Sequence, residues 1–262
     1  MCELFGLSAS QRIAGPVLPL TEFQARGGAT ADNPDGWGIA WRDDPDFRLE
    51  REPLPGHSSA RFAGAIAFLR TDLLIAHVRK ARWPPVNSLG NTHPFVHPCC
   101  GRQWVFAHNG LVPELVRMES ANTAKACRPV GETDSEFAFC HLLSHVMGYY
   151  PAPGAEKPWL GVLATISELI AGLGKFNFLL SDGEHLIAYG HDRLHHLESH
   201  DDGVDSALVA TEPLGNAASW TPFDAGELRI YRAGLSVGRM STNPCRAGAQ
   251  PNSSAAVLEN HV

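Results

Sequence analysis

The sequence has no excess of positive charge, and this excludes one large class of functions. Its 262 residues include 21 lysines and arginines against 28 aspartates and glutamates, which gives a formal net charge of −7. Proteins that follow the phosphates of nucleic acids need clustered Lys and Arg side chains, and no such cluster offsets the acidic balance. We therefore expect no nucleic-acid partner.

Long apolar runs are also missing. No stretch approaches the roughly 18 apolar residues that a membrane-spanning helix needs. The N-terminus lacks a basic segment followed by an apolar one, so it does not have the pattern of a secretory signal. These absences predict a cytoplasmic protein with no membrane partner.

Cysteine is scarce and irregularly spaced, with no C-x-x-C pair and no regular framework. In a reducing compartment scattered cysteines are usually free thiols. The vicinal pair Cys99-Cys100 lacks partners at the spacing of a tetrahedral metal site. His141 and His145 are four residues apart, but no acidic ligand accompanies them in the motif, so we predict no metal site. The six cysteines are Cys2, Cys99, Cys100, Cys127, Cys140 and Cys245.

The apolar residues follow the period of strands more often than that of helices. A helical pattern begins near Ser59, another spans 159–173, and Thr133 with Glu136 forms a capping box before a third. Strands towards both ends of the chain, with helices between them, indicate layered sheets and helices and not a doubly wound parallel fold. No glycine-rich phosphate loop follows a strand, so we expect no nucleotide cofactor. The predicted strands lie at 3–9, 36–41, 73–79, 103–109, 176–182, 185–190, 206–211 and 227–234.

No internal repeat or linker divides the chain, so we predict one domain over residues 2–243. Proline and glycine at 151–158 predict a loop between the helix that begins after Thr133 and the helix at 159–173. Past Asn243 the composition turns to Asn, Ser, Ala and Gly, which predicts a flexible tail over 244–262.

Polar residues stand where several apolar elements end. Arg79 lies in a run of Leu, Ile, Ala and Val, so its charge must be paired or face a cleft. Its planar fork is suited to a carboxylate. Asn109-Gly110 is also a common turn dipeptide, and Asp134 in a first helical turn is stabilised by the helix dipole in any case. The stretches concerned are DGWG (35–38), AHVRKA (76–81), FAHNGLV (106–112) and ETDSE (132–136).

The sequence begins with a cysteine directly after Met1. A lone cysteine entering a strand is most simply a small buried residue. The combination is more informative, because a thiol, a cation, an anion and an amide-glycine pair are what is needed to bind an α-amino acid and attack its side chain.

In order along the chain, Cys2, Arg79, Asn109-Gly110 and Asp134 resemble the glutaminase domain of class II glutamine amidotransferases, which are N-terminal nucleophile hydrolases. The opening MCELFGLSA, DGWGIAW (35–41) and VATEPL (209–214) are especially similar to the YafJ-type, stand-alone branch of that family. Together these motifs span residues 2 to 214. The resemblance implies an α+β fold, a four-layer αββα sandwich of two antiparallel sheets.

The resemblance also implies a nucleophile and its base. Met1 would be removed, so that Cys2 carries both the attacking thiol and an α-amino group that accepts the proton. Asn109 and Gly110 would form the oxyanion hole for the intermediate.

The same resemblance implies how the substrate is held. Arg79 would bind the α-carboxylate and Asp134 the α-ammonium group. His77 faces the same side of its strand as Arg79 and would support substrate binding from behind, and His93 in NTHPF matches a structural position of the family.

Departures from the family pattern leave the substrate open. Lys80 stands where many members have an aromatic residue, and RWPPVNSLGN (82–91) precedes Thr92. The expected reaction is hydrolysis of glutamine to glutamate and ammonia, by a glutaminase acting alone or with a separate synthase or acceptor subunit. One alternative is a γ-glutamyl peptide hydrolase acting on glutathione-like compounds, and another is a non-catalytic glutamine-binding module. None of these needs a metal or cofactor.

Overall fold

Two antiparallel sheets dominate the computed structural model, which describes residues 1–120, 127–149 and 158–244. The strands are β1 (Glu3–Ala14), β2 (Trp37–Asp43), β3 (Asp46–Glu52), β4 (Arg70–Val78), β5 (Phe95–Cys99), β6 (Arg102–Leu111), β7 (Lys175–Ser181), β8 (Leu186–Gly190), β9 (His195–Asp201), β10 (Val204–Ala210), β11 (Thr221–Pro222), β12 (Glu227–Arg232) and β13 (Leu235–Ser241). The seven-stranded sheet has the order β11-β9-β10-β1-β4-β2-β3, and the six-stranded sheet the order β13-β12-β8-β7-β6-β5.

The predicted helix starts are confirmed where side chains cap them. Ser59 accepts a backbone N–H of the first turn of α2 (Ala60–Phe68), and Thr133 accepts the Glu136 N–H of α4 (Asp134–Val146). The carboxylate of Glu136 accepts the Gly131 N–H at 2.7 Å, two residues before Thr133, and contacts His97. None of the described helices is long and apolar enough to cross a bilayer. The helices are α1 (Leu20–Ala25), α2 (Ala60–Phe68), α3 (Glu114–Ser120), α4 (Asp134–Val146) and α5 (Pro158–Ala171).

One apolar core lies between the two sheets. Leu4 and Ile75 of the seven-stranded sheet share it with Val105, Leu179 and other residues of the six-stranded sheet. All four side chains are fully buried. Burying a side chain of this size contributes about 1.5–3 kcal/mol, so the sheets are firmly held face to face.

Helices cover the outer faces of both sheets. Phe62 of α2 packs with Phe5 on the seven-stranded sheet, and Phe139 of α4 stacks on Phe106 of the six-stranded sheet at 5.1 Å between ring centroids. Neighbouring residues on one strand, such as Leu4 and Phe5, therefore lie in different cores. This burial of both faces explains the continuous apolar runs, and the αββα four-layer fold is confirmed.

The eight predicted strands are all present, and the missed elements are mostly polar or short. β3 reads DFRLERE and β13 reads LSVGRMS, and both lie at sheet edges where polar side chains face solvent. Their apolar pattern is therefore weak. The loop predicted at 151–158 falls almost wholly in 150–157, outside the described residues, as does the predicted tail beyond 244.

The expectation that the cysteines are free thiols is wrong for one pair. Cys127 and Cys140 form a disulfide with 5.2 Å between their Cα atoms. Cys140 is buried in α4, and Cys127 packs against the core beneath that helix. The two cysteines are separated by 13 positions in the sequence, and the chain returns to α4 over this distance in a way that cysteine spacing alone does not reveal. The free thiols of the described residues are Cys2, Cys99 and Cys100.

Candidate active site

Alternation along the strands brings the predicted polar residues to the face between the sheets. In β4, Ile75 belongs to the inner core and Arg79 follows four residues later. In β6, Ala107 belongs to the same core and Asn109 follows two residues later. Because side chains repeat every second residue, Arg79 and Asn109 continue the inner row at one end of the sandwich, where β1 begins beside Cys2.

These residues line one cavity of about 310 Å³. The structure brings together five of the six side chains and backbone groups predicted for the site, and the sixth, His77, lies outside the lining. The lining residues are Met1, Cys2, Arg79, Lys80, Arg82, Trp83, His93, His108, Asn109, Gly110, Leu111, Thr133, Asp134, Ser135 and Lys175.

The Cys2 thiol is held by the backbone of Lys80. The Lys80 N–H donates to Sγ at 3.2 Å, and the thiol donates back to the Lys80 carbonyl at 3.3 Å. Burial raises the pKa of Cys2, and the Lys80 N–H and the Arg79 charge oppose this rise. The thiol is therefore mostly protonated at neutral pH, and its attack on a substrate requires a base.

Arg79 is buried, with 3% of its surface exposed. Its guanidinium donates to the carbonyls of Pro84 and Val86 at 3.4 and 3.1 Å and to the side-chain oxygen of Asn87 at 3.2 Å. Burial lowers the pKa of Arg79. Its hydrogen bonds go to neutral acceptors, and among the described residues no carboxylate lies within ion-pair distance of it, so the charges of Asp35 and Asp134 act on it only from farther away.

The loop that orients Arg79 is itself held by Asp35 of the DGWG motif (35–38). Asp35 of DGWG accepts the Ala81 N–H at 2.8 Å and the side-chain N–H of Asn87 at 3.4 Å. The segment 82–91, which departs from the family pattern, thus supplies acceptors to Arg79 and places Arg82 and Trp83 at the cavity wall.

Asn109 and Gly110 lie within β6 and not in a turn, so the turn interpretation is wrong. They pair with Asn177 and Phe176 of β7. A Cβ atom on Gly110 would lie 1.8 Å from the Lys175 carbonyl oxygen, so only glycine fits. The Asn109 side-chain N–H donates to Thr211 Oγ1 at 3.3 Å.

Asp134 occupies the first turn of α4, as predicted, and 3% of its surface is exposed. One carboxylate oxygen accepts the Val112 N–H at 2.6 Å, and Ser135 Oγ lies 3.4 Å from the other. In the described parts of the chain no basic side chain forms an ion pair with Asp134. The cavity therefore holds a buried cation and a buried anion that are not paired with each other.

Three buried histidines surround this end of the sandwich. His77 stacks on His93 with 4.2 Å between ring centroids, and among the described residues neither ring nitrogen of His93 has a hydrogen-bond partner. His77 is fully buried behind His93, which lines the cavity. Burial lowers the pKa of His77 to about 3 and that of His93 well below its usual value. Both rings are thus neutral, and His77 is placed to support the site and not to contact a substrate.

His108, which no sequence motif marked as functional, also lines the cavity. Its ring contacts Ser135 Oγ at 2.9 Å and the Lys175 carbonyl at 3.1 Å, so it connects β6 to the start of α4. Burial lowers its pKa as well. Its position directly before Asn109-Gly110 was the signal available in the sequence.

Lowering the pH is expected to destabilise the fold through His77. In the unfolded chain His77 takes up a proton near its ordinary pKa of 6.5, but in the folded protein it does so only near 3. Between these values the unfolded state binds more protons, so the free energy of unfolding falls by roughly 1 kcal/mol per pH unit as the pH drops. Urea unfolding at pH 7, 6 and 5 measures this slope.

The control for this prediction is a pair of variants. His77→Gln removes the titrating ring and is expected to flatten the slope by the same amount. His200→Gln changes an exposed histidine and is expected to leave the slope as it is. An unchanged slope in His77→Gln would show that His77 does not titrate as described.

Groups with metal-ligand geometry lie elsewhere in the described residues. One comprises His97 with the two cysteines of the disulfide, and the other comprises Asp182, Glu184 and His185. No member of either group lines the cavity.

Comparison with known proteins places these observations in a family context. The family model of the class-II glutamine amidotransferases matches residues 1–202 of this chain. A putative glutamine amidotransferase YafJ of Escherichia coli is 33% identical, over 89% of this chain and 98% of that protein. The crystal structure of a predicted glutamine amidotransferase from Pseudomonas aeruginosa superposes with a TM-score of 0.65 at 30% identity, covering 90% of this chain and all of that one.

A more distant relative has a different printed activity. The γ-glutamyl-hercynylcysteine sulfoxide hydrolase of Mycobacterium tuberculosis is 26% identical over 72% of this chain and 71% of that protein.

Proposed function

Because this chain belongs to the class-II glutamine amidotransferases, we propose that it hydrolyses the side-chain amide of glutamine to glutamate and ammonia through a thioester on Cys2. The observation that carries this proposal is that the buried charges of Arg79 and Asp134 line one cavity with the thiol and, among the described residues, form no direct ion pair. An isolated buried charge is costly, so the two together favour a ligand that brings one charge of each sign. The α-carboxylate and α-ammonium groups of an amino acid are such a pair.

The proposed chemistry begins with the proton on the thiol. After removal of Met1, the α-amino group of Cys2 is the base nearest to its own sulfur, and such groups titrate at about 7.7–8.0. The amine accepts the thiol proton as Sγ attacks the amide carbon, and then transfers it to the leaving nitrogen to release ammonia. Water then hydrolyses the thioester to glutamate.

The negative charge on the tetrahedral intermediate needs donors beside the sulfur. The side-chain N–H of Asn109 and the backbone N–H of Gly110 would supply them, and both residues line the cavity. Donors fixed in a strand do not have to reorient during the reaction, which is the condition for a large electrostatic effect. The ammonia is then released or passed to a separate acceptor subunit.

Hydrolysis of larger γ-glutamyl compounds is the second candidate function. Two residues of the cavity wall support it. Arg82 and Trp83 line the cavity beyond Arg79, and among the described residues Arg82 has no ion pair. The Arg82 guanidinium suits a leaving group that carries a carboxylate, such as the peptide portion of a γ-glutamyl peptide, and the Trp83 ring offers it an apolar contact surface.

Arg82→Gln is expected to separate the two candidates. If the second is correct, the variant raises KM for γ-glutamylglycine and glutathione by roughly tenfold, as expected for loss of one charged hydrogen bond, and leaves glutamine unaffected. Glutamate release is measured for wild type and variant on the same panel. A matched control is Arg48→Gln, which changes an arginine on β3 that does not line this cavity. Equal KM changes for all three compounds would contradict a role in leaving-group recognition.

A non-catalytic binding module is the third alternative. It would keep Met1, because the amine of Cys2 would then remain acylated and could not act as a base. N-terminal mass determination on the purified protein distinguishes the two: an intact Met1 in most molecules would favour the binding module.

A further inference from the structure

The proposed nucleophile and the proposed oxyanion donor lie on different sheets. Cys2 precedes β1 of the seven-stranded sheet, and Asn109 belongs to β6 of the six-stranded sheet. Their relative position therefore depends on contacts that cross the layer between the sheets. The side chain of Thr211, which follows β10, makes such a contact.

Thr211 is bound first to the strand that carries the nucleophile. Its backbone N–H donates to the Leu4 carbonyl at 3.1 Å, and its Oγ1 accepts the Leu4 N–H at 2.9 Å. Leu4 is two residues after Cys2, and both Leu4 and Thr211 are fully buried. Two hydrogen bonds to one residue fix the Thr211 hydroxyl relative to the start of β1.

The same oxygen also receives the oxyanion-hole side chain. The Nδ2 of Asn109 donates to Thr211 Oγ1 at 3.3 Å across the intersheet layer. An amide nitrogen has two hydrogens at fixed angles in one plane. Binding one of them to Thr211 therefore sets the direction of the other.

The main chain of Asn109 is fixed from the opposite side. Asn177, which pairs with it on β7, donates through Nδ2 to the Asn109 carbonyl at 3.1 Å. The Asn177 side-chain oxygen accepts three successive backbone N–H groups from residues 191–193. Because the backbone of Asn109 is held independently, the Thr211 hydroxyl governs mainly the rotation of the carboxamide.

We propose that Thr211 is a positioning residue, whose hydroxyl oxygen aligns the Asn109 carboxamide with the Cys2 strand so that the second side-chain N–H is presented to the cavity. The proposal rests on the proposed function, in which that N–H stabilises the oxyanion. It assigns a role to the threonine of VATEPL, a motif that the sequence alone left without one.

The first test replaces the Thr211 hydroxyl with a methyl group and keeps the size of the side chain. Thr211→Val is expected to lower kcat for glutamine roughly tenfold to a hundredfold, less than the full loss of an oxyanion donor, with KM changed less than threefold. Thr211→Ser restores the oxygen and is expected to recover most of kcat. Unchanged kcat in Thr211→Val, or no recovery in Thr211→Ser, overturns the proposal. If Thr211→Val does not fold, Thr211→Ala carries the same comparison.

A matched control separates positioning from stability. Thr71 is also fully buried, and its hydroxyl contacts the Arg42 carbonyl in β2 and the Leu73 carbonyl in β4, outside the cavity lining. Thr71→Val is expected to lower the melting temperature while kcat stays at the wild-type value. A similar loss of kcat in both variants would show that Thr211 acts only through stability.

A double-mutant cycle tests whether Thr211 acts through Asn109. In the Asn109→Ala background, Thr211→Val is expected to lower kcat no further, because the side chain that it positions is gone. Multiplicative losses would overturn the proposal.

Hydrogen exchange at the Leu4 amide gives a readout that does not need turnover. This N–H loses its acceptor in Thr211→Val, so its exchange is expected to accelerate at least tenfold, whereas Thr211→Ser retains protection. Unchanged exchange overturns the bridge itself. A wild-type protein that releases no glutamate from any γ-glutamyl compound overturns the proposed function instead, so the two failures are distinguishable.

Discussion

Cys2→Ala is expected to abolish glutamate release while glutamine still binds. The variant removes the only atom that forms the proposed thioester, whereas Arg79 and Asp134 remain to hold the two charges of the substrate. Loss of a catalytic nucleophile lowers kcat by roughly a million-fold in a well-studied hydrolase, so no turnover above background is expected. Glutamate release and calorimetric binding of glutamine are the two measurements.

A second cysteine variant controls for general effects of removing a thiol. Cys100 is a half-buried free thiol 2.7 Å from Cys99 Sγ in the turn between β5 and β6, and it does not line the cavity. Cys100→Ala is expected to keep the wild-type kcat. Turnover that survives in Cys2→Ala would refute the nucleophile, and active protein that retains Met1 would refute the amine as base.

Arg79→Gln is expected to lower kcat/KM for glutamine by roughly a hundredfold or more, chiefly through KM. Truncating one partner of a buried hydrogen-bonded charge pair costs on the order of 2–5 kcal/mol, partly because the other charge is left unpaired. The guanidinium is already oriented by Pro84 and Val86, so a bidentate contact with the substrate carboxylate is feasible. The neutral side chain introduced by Arg79→Gln cannot make this contact. Steady-state kinetics on glutamine measure the effect.

A truncated substrate identifies the group that Arg79 binds. The compound 4-aminobutanamide is glutamine without its α-carboxylate, so the wild-type protein is expected to hydrolyse it far more slowly than glutamine. Arg79→Gln is expected to process both compounds with similar kcat/KM, because the interaction that distinguishes them is gone. If Arg79→Gln still prefers glutamine as strongly as wild type does, Arg79 does not bind the carboxylate.

The control for Arg79 is an arginine outside the cavity that is partly buried. Arg42 donates to Asp72 and to the Gly183 carbonyl and does not line the cavity. Arg42→Gln is expected to reduce stability and to leave the preference for glutamine unchanged. This comparison separates loss of a buried arginine in general from loss of the substrate contact.

The central strands were predictable because they are buried on both faces, whereas the four-layer arrangement was implied by the family resemblance. A strand such as LLIAHVR needs apolar residues on both sides, and this pattern is visible in a single sequence. The edge strands β3 and β13 were not predictable, because one face of each meets solvent and their residues lack a clear period. The helix caps at Ser59 and Thr133 could be predicted because each depends only on residues three positions apart in the sequence.

The Asn109-Gly110 pair shows where local patterns stop being informative. The dipeptide favours a turn, but in the structure it continues β6 because β7, more than 60 residues later, pairs with it. Pairing with a distant strand therefore overrides the turn preference of Asn-Gly. The disulfide between Cys127 and Cys140 was missed because it depends on how the chain folds back onto α4, which the spacing of the cysteines does not show.

The candidate groups of the site and their family could be predicted from the amino-acid order alone, because a thiol after Met1, Arg79, Asn109-Gly110 and Asp134 appear in a characteristic order. How these groups face one another depends on the packing of the two sheets. Among the described residues Arg79 and Asp134 form no ion pair, and Thr211 joins Leu4 to Asn109 because residues far apart in the chain meet between two sheets. Composition and spacing record which groups exist, whereas orientation and desolvation arise only when the sheets pack.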